Sequence, residues 1–201
     1  MSGFTFLALV TEFGDQSVIL PFAATVAAVL ALNAARREAL IWCGAIFAVL
    51  LTTLIAKFFF LPCGHLFSGL GVRSPSGHTA AAFAVYGGFA VLQAKLARAR
   101  WVQAALISAA FAACFSIAVS RVLLGAHTVQ EALFGGLIGV AAPAILVLVE
   151  PPASEPRMRP PLLLLIVPLV LAVLFYGETL PVEGLIDRVS TQIMGQLGVC
   201  V

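Results

Sequence analysis

The run EALIWCGAIFAVLLTTLIAKFFF, Glu38–Phe60, decides the fold. Between Glu38 and Lys57 it carries no charged side chain. About 20 apolar residues cross the roughly 30 Å of bilayer hydrocarbon as a helix, so this run reads as a membrane span. Five further runs read the same way: Gln16–Asn33, Ser76–Gln93, Trp101–Ser120, Thr128–Val149 and Pro161–Tyr176, the last interrupted by Pro168. The whole chain agrees, being 62% hydrophobic and 10% charged, where soluble domains carry about a quarter charged residues. The expected fold is all-α: one polytopic domain over residues 1–201, with a six-helix transmembrane core from 16 to 176. No Lys or Arg precedes the first apolar run, so a cleaved signal peptide is not expected.

The charges orient the bundle. Arg36 and Arg37, Lys95, Arg98 and Arg100, and Arg157 and Arg159 all fall in connections on one side. Basic loops stay cytoplasmic, so both termini are expected on the other, periplasmic side, with Glu12, Asp15, Glu178, Glu183 and Asp187. Trp42 and Trp101 fall at cytoplasmic helix ends and Tyr176 at an outer one, positions that suit interfacial aromatics. In the C-terminal tail, Val182, Leu185, Ile186, Val189, Ile193 and Leu197 recur at helical spacing. An amphipathic helix over 181–197 is expected, lying on the membrane surface or packed over the bundle. Cys63 and Cys200 fall on the outward side, where a disulfide is chemically permitted.

Six ionisable residues lie in or beside the spans at that same outward end: Lys57, Arg73, His78, Arg121, His127 and Glu131. Charge near membrane depth is costly and marks function, and charge gathered at one depth points to one site. In RSPSGHTAAAF, Arg73–Phe83, Ser76 suits a helix N-cap and Gly77 permits close approach to the backbone. Unpaired N–H groups at such a helix start attract anions, although a plain capped start accounts for the stretch taken alone. In SRVLLGAHTVQE, Ser120–Glu131, His127 and Glu131 are four apart. That spacing lets the carboxylate hold one imidazole nitrogen and free the other as a nucleophile. Gly135 and Gly139 continue the stripe and invite another helix to pack closely.

Two imidazoles and several cations converging on an anion site suit phosphoryl transfer. One ring would attack phosphorus while the other protonates the departing oxygen. Glu131 is the only carboxylate expected with this set, too few ligands for a two-metal hydrolase, and the surrounding cations argue against zinc. No Gly-x4-Gly-Lys-Ser/Thr loop occurs, which excludes nucleotide hydrolysis by that route. Neither Cys63 nor Cys114 has an Arg at the spacing of a cysteine phosphatase.

These elements resemble the type 2 phosphatidic acid phosphatase family of membrane lipid phosphatases. Its signature runs Lys, six residues, Arg-Pro; then Pro-Ser-Gly-His; then Ser-Arg, five residues, His, three residues, Asp. Here Pro75-Ser76-Gly77-His78 is complete, and Ser120-Arg121, His127 and Glu131 supply the third element with Glu for Asp. The first element departs: Lys57 is followed by Gly64-His65 in place of Arg-Pro. The resemblance implies that His127 forms a phosphohistidine, with Glu131 behind it, and that His78 is the acid for the leaving group, then the base for water. It implies that Lys57, Ser76, Gly77 and Arg121 bind phosphate. Arg73, directly before the second element, is expected to replace the missing Arg, with His65 a poorer substitute. No metal or other cofactor is expected, and no nucleic acid partner. The implied activity is removal of phosphate from a lipid phosphate or diphosphate at the outer leaflet, by an enzyme in the inner membrane with its site facing the periplasm. A lipid phosphotransferase using the same residues, or a non-catalytic phospholipid-binding member, are the alternatives.

Overall fold

The computed structural model describes residues 3–63, 69, 71–149, 162–178 and 180–196. Among them the chain runs through α1 (Gly3–Glu12), α2 (Gln16–Leu32), α3 (Arg36–Cys63), α4 (Gly77–Ala82), a π-helical turn (Phe83–Gly87), α5 (Gly88–Leu96) and α6 (Arg100–Leu123). It continues through α7 (Val129–Gly139), α8 (Ala141–Val149), α9 (Leu162–Leu174) and α10 (Val182–Gln196). Segments long and apolar enough to cross a membrane are Thr5–Leu32, Arg36–Cys63, Gly77–Leu96, Arg100–Leu123 and Val129–Val149. Among the described residues that is five, where the sequence suggests six. The remaining run is represented by α9, which has 13 residues. At a rise of about 1.5 Å per residue it reaches roughly 20 Å, short of the hydrocarbon thickness.

Local chemistry sets the helix ends. Asp15 caps α2 by accepting a hydrogen bond from the Ser17 N–H at 2.8 Å. At its other end the Asn33 side chain donates to the Val29 carbonyl at 2.7 Å, and Ala34 turns the chain with φ 60°. Thr128 caps α7 in a reciprocal capping box with Glu131. The α4–α5 segment is the central span, with 83% of its apolar window buried inside the protein. Its small side chains explain that position, since Ala80, Ala81, Ala82 and Ala84 are fully enclosed and let neighbours approach. Gly135 and Gly139 provide the matching close approach from α7. A Cβ at Gly135 would fall inside contact distance of the Ser76 carbonyl, and one at Gly139 would stand 2.6 Å from the Ala80 carbonyl.

Around this centre, Val18, Phe22 and Val26 of α2 pack with Ile46 and Val49 of α3 and Leu146 of α8. Apolar side chains also cover the outside, among them Phe47, Phe59, Phe115, Leu137, Leu148 and Val173. Such an exterior suits lipid as solvent. Trp101 is 76% exposed, as an interfacial residue should be, but Trp42 corrects the expectation made for it. It is 1% exposed, and its indole N–H donates to the Ala23 carbonyl at 2.9 Å, pinning α3 to α2. Cys43 and Cys114 are free thiols, and Cys63 is disulfide-bonded. Its expected partner Cys200, and Gly64-His65, lie outside the described residues.

Candidate active site

The elements that carry the polar residues all bring them to one end of the bundle. Lys57 lies near the end of α3, Ser76 to His78 at the start of α4, Arg121 near the end of α6 and Glu131 in the first turn of α7. Ser76 is fully buried. Its hydroxyl accepts from the Thr79 N–H at 3.4 Å and from the Thr79 hydroxyl at 3.0 Å, and its own N–H donates to the Glu131 carbonyl at 3.0 Å.

His127 and Glu131 meet as their spacing suggests, with Nδ1 of the ring 2.9 Å from Oε2. The cause differs from a shared helix face. His127 stands just before the Thr128 N-cap, outside α7, and Glu131 reaches back to it through the capping box. Glu131 Oε2 also accepts the Thr128 N–H at 3.0 Å, and Oε1 accepts the N–H groups of Arg73 at 2.7 Å and Ser74 at 3.0 Å. Its three backbone partners are all donors, so the carboxylate is suited to remain ionised, and an ionised carboxylate at this distance favours the His127 tautomer with its proton on Nδ1. The other nitrogen, Nε2, is buried and has no hydrogen-bond partner.

At the centre stands a group the sequence reading leaves out. Glu183, in the first turn of α10, places Oε1 3.2 Å from Lys57 Nζ and 3.9 Å from both His78 Nδ1 and His127 Nε2. Its Oε2 is 3.8 Å from an Arg121 nitrogen. The facing His127 ring, and then the Lys57 and His78 charges, hold this carboxyl well below the usual carboxylate range, outweighing the burial that would push it up. A second unexpected carboxylate, Asp15, lies 3.6 Å from His78 Nε2. Glu131 is therefore not the only carboxylate of the site. Both additions come from the flanks, more than a helix away in sequence from the residues they meet. Their one local signal is position, Asp15 directly before the apolar run Gln16–Asn33 and Glu183 at the start of the amphipathic tail.

Lys57 is 5% exposed and also donates to the Ser74 hydroxyl at 3.3 Å. Arg121 donates to the Thr11 hydroxyl at 3.4 Å, while its Nε is buried without a partner. Gly77 lies against this cluster, since a Cβ there would stand 3.4 Å from Glu183 Oε1 and 3.2 Å from Lys57 Cε. The structure thus gathers Lys57, Ser76, Gly77, His78, Arg121, His127 and Glu131. Arg73 differs: its backbone N–H locks Glu131, while its exposed guanidinium makes no ion pair among the described residues. Beside the cluster a cleft of about 240 Å³ opens between α2, α3 and α10. Its walls include Leu20, Leu50, Leu54 and Ile186, and Lys57 and His78 also line it.

A helical membrane protein with two imidazoles, a lysine and an arginine gathered around one carboxylate at one end of its bundle is the class that this geometry defines. Residues 52–155 match the model of the PAP2 superfamily, and the chain belongs to that superfamily, whose members are generally phosphatases. No curated protein and no solved structure matches the chain.

Proposed function

We propose that the protein is a lipid phosphate phosphohydrolase working through a phosphohistidine. The observation that carries this reading is His127. Its Nδ1 is held by an ionised carboxylate, and its buried, unpartnered Nε2 faces an anion already bracketed by Lys57, His78 and Arg121. The Glu183 carboxylate marks where phosphoryl oxygens bind.

In the first step Nε2 of His127 attacks phosphorus, forming the N–P bond as the P–O bond to the lipid breaks. His78 donates its Nδ1 proton to the leaving oxygen. In the second step water attacks phosphorus and returns a proton to His78 as the N–P bond breaks, releasing orthophosphate and restoring both rings. Lys57, Arg121 and the backbone at Ser76 and Gly77 hold the equatorial oxygens where charge develops. The Arg73 guanidinium, exposed and two residues before Pro75, is the group assigned to engage the incoming headgroup. No metal is assigned a role, because Glu131 is filled by four donors and the anion position is lined by cations. The apolar wall of the adjoining cleft supports a lipid substrate, with the acyl or isoprenoid chain along Leu20, Leu50 and Leu54 and the phosphate at Lys57. The bundle places Arg36, Arg37 and Arg100 at the starts of α3 and α6, opposite the site, which supports a periplasmic site in the inner membrane.

The test uses the full chain in detergent with phosphatidate, a lysophosphatidate and an isoprenyl diphosphate, each with EDTA and with or without vanadate. Phosphate release that persists in EDTA, is blocked by vanadate and disappears in His127→Ala is the expected outcome. Transfer of phosphate to a second lipid in place of water would make the protein a phosphotransferase. Failure to turn over any substrate would refute the enzymatic reading.

A further inference from the structure

The superfamily match covers residues 52–155. The two additional carboxylates come from outside it, and each carries an inference, the first of which rests on the reading above.

The first concerns His78. The Phe13–Gly14–Asp15 turn between α1 and α2 is moulded against this ring. A Cβ at Gly14 would stand 3.2 Å from His78 Cβ, 3.3 Å from its Cδ2 and 2.8 Å from an Ile117 methyl. Asp15 is 7% exposed. Its Oδ1 is committed to backbone, accepting from Ser17 at 2.8 Å and from Leu180 at 3.4 Å, which leaves Oδ2 facing His78 Nε2 at 3.6 Å. We infer that Asp15 is a positioning residue for His78, holding Nε2 away from the reaction and turning Nδ1 toward the leaving oxygen. The arrangement repeats that of His127 with the ring nitrogens exchanged. The charged or titratable groups facing His78 are Asp15 from the α1–α2 turn, Glu183 from α10, Arg121 from α6 and His127 before α7. Asp15 is thus the negative charge that stays beside the imidazolium when a phosphate takes the anion position.

Asp15→Asn is the informative variant, because Asn caps a helix about as well as Asp, keeping an oxygen for the Ser17 and Leu180 N–H groups while removing the charge and the acceptor that face His78. With a lipid phosphate, whose alkoxide leaves poorly, kcat is expected to fall about 10- to 100-fold, within the range general acids contribute. The alkaline limb of the pH–rate profile is expected to move to lower pH. With para-nitrophenyl phosphate, whose leaving group needs little protonation, the fall should be under about threefold, and Asp15→Glu should recover part of the lipid activity. Equal losses on both substrates, or a wild-type profile for Asp15→Asn beside an active parent protein, would overturn the inference alone. Absence of any His127-dependent turnover in the unaltered protein would overturn the parent reading and this one together.

The second concerns Glu183, and it rests only on the anion site. The geometry points to Glu183 as an internal competitor for that site, held there by α10. Its oxygens lie between Lys57, Arg121 and both imidazoles, where a phosphoryl group must bind, so the two exclude each other. The side chain is 41% exposed, which leaves it a way out. Calorimetric titration with vanadate, in detergent, reads the competition without requiring turnover. Glu183→Gln and Glu183→Ala are each expected to bind vanadate at least about tenfold more tightly than the unaltered protein. Asp187→Asn, which removes an exposed charge from the same helix, should change affinity less than about twofold. Unchanged or weaker binding in both Glu183 variants, or an equal gain in Asp187→Asn, would overturn the inference.

Discussion

Replacing Glu131 by Gln puts the reacting geometry under the sharpest strain for the smallest change in shape. The carboxylate faces donors alone: the N–H groups of Arg73, Ser74 and Thr128 and the Nδ1 of His127. An amide offers one oxygen and one NH2. Whichever way it turns, one of the two carboxylate positions loses its acceptor. If the NH2 replaces Oε1, two backbone donors at Arg73 and Ser74 are left facing a donor. If it replaces Oε2, the Thr128 N–H loses its acceptor and His127 must move its proton to Nε2, which removes the nucleophile proposed above. Hydrogen bonds to charged groups contribute about 1.5–3 kcal/mol each, so losing two costs roughly 3–6 kcal/mol. Expressed in the barrier, at about 1.36 kcal/mol per decade, this is a fall of roughly 10²- to 10⁴-fold in kcat. The wrong tautomer behind a catalytic imidazole has cost about 10⁴-fold in serine proteases, which sets the upper end. Phosphate release and thermal unfolding, measured on the same preparation, divide the loss between rate and stability. Glu131→Asp keeps the charge but is one methylene shorter and is expected to fall between wild type and Gln. Glu131→Gln with more than about a third of wild-type kcat and an unchanged Tm would refute the reasoning.

Three further outcomes are expected. Gly135→Ala drives a methyl into the Ser76 carbonyl and should lower stability by about 1–3 kcal/mol by denaturant titration, whereas Gly136→Ala, with neighbours at 3.7 and 3.8 Å, should be tolerated. Arg121→Ala should reduce kcat about 100-fold or more, while Arg73→Ala should mainly raise KM, a split read by steady-state kinetics on one lipid phosphate. Trp42→Phe removes the indole bond to the Ala23 carbonyl, which keeps its place in the α2 helix, and should cost about 0.5–1.5 kcal/mol, appearing as a lower Tm with kcat preserved.

The spans were legible because lipid solvation acts on composition, and composition is local. The Pro75–His78 and Ser120–Glu131 elements were legible for a related reason: capping and four-residue pairing operate within a turn or two of chain. The Gly135 and Gly139 stripe showed that some helix would approach closely, though not that Ser76 and Ala80 would receive it. Trp42 misled because interfacial and buried tryptophans share the same sequence context, and only the Ala23 carbonyl distinguishes them. In the sequence Asp15 and Glu183 read as charges of the outward tails. Meeting His78 and Lys57 depends on how α1, α2 and α10 pack, which no periodicity encodes. The length of α9 was obscured by apolar residues continuing past its helical part.

The π-helical turn at Phe83–Gly87 inserts extra residue length into the central span and so resets the angular phase of everything after it. One residue is about 100° of rotation, enough to carry a side chain from one neighbour to another. Within this turn Tyr86 sets its ring edge-on to Phe22 and donates its hydroxyl to the Phe13 carbonyl at 2.6 Å, latching the segment that carries Gly14 and Asp15. Shortening the turn by a single residue would restore a regular α-helix yet swing that latch off its keeper. The irregularity in the middle of the span therefore acts as a clocking device for the polar cluster at its end.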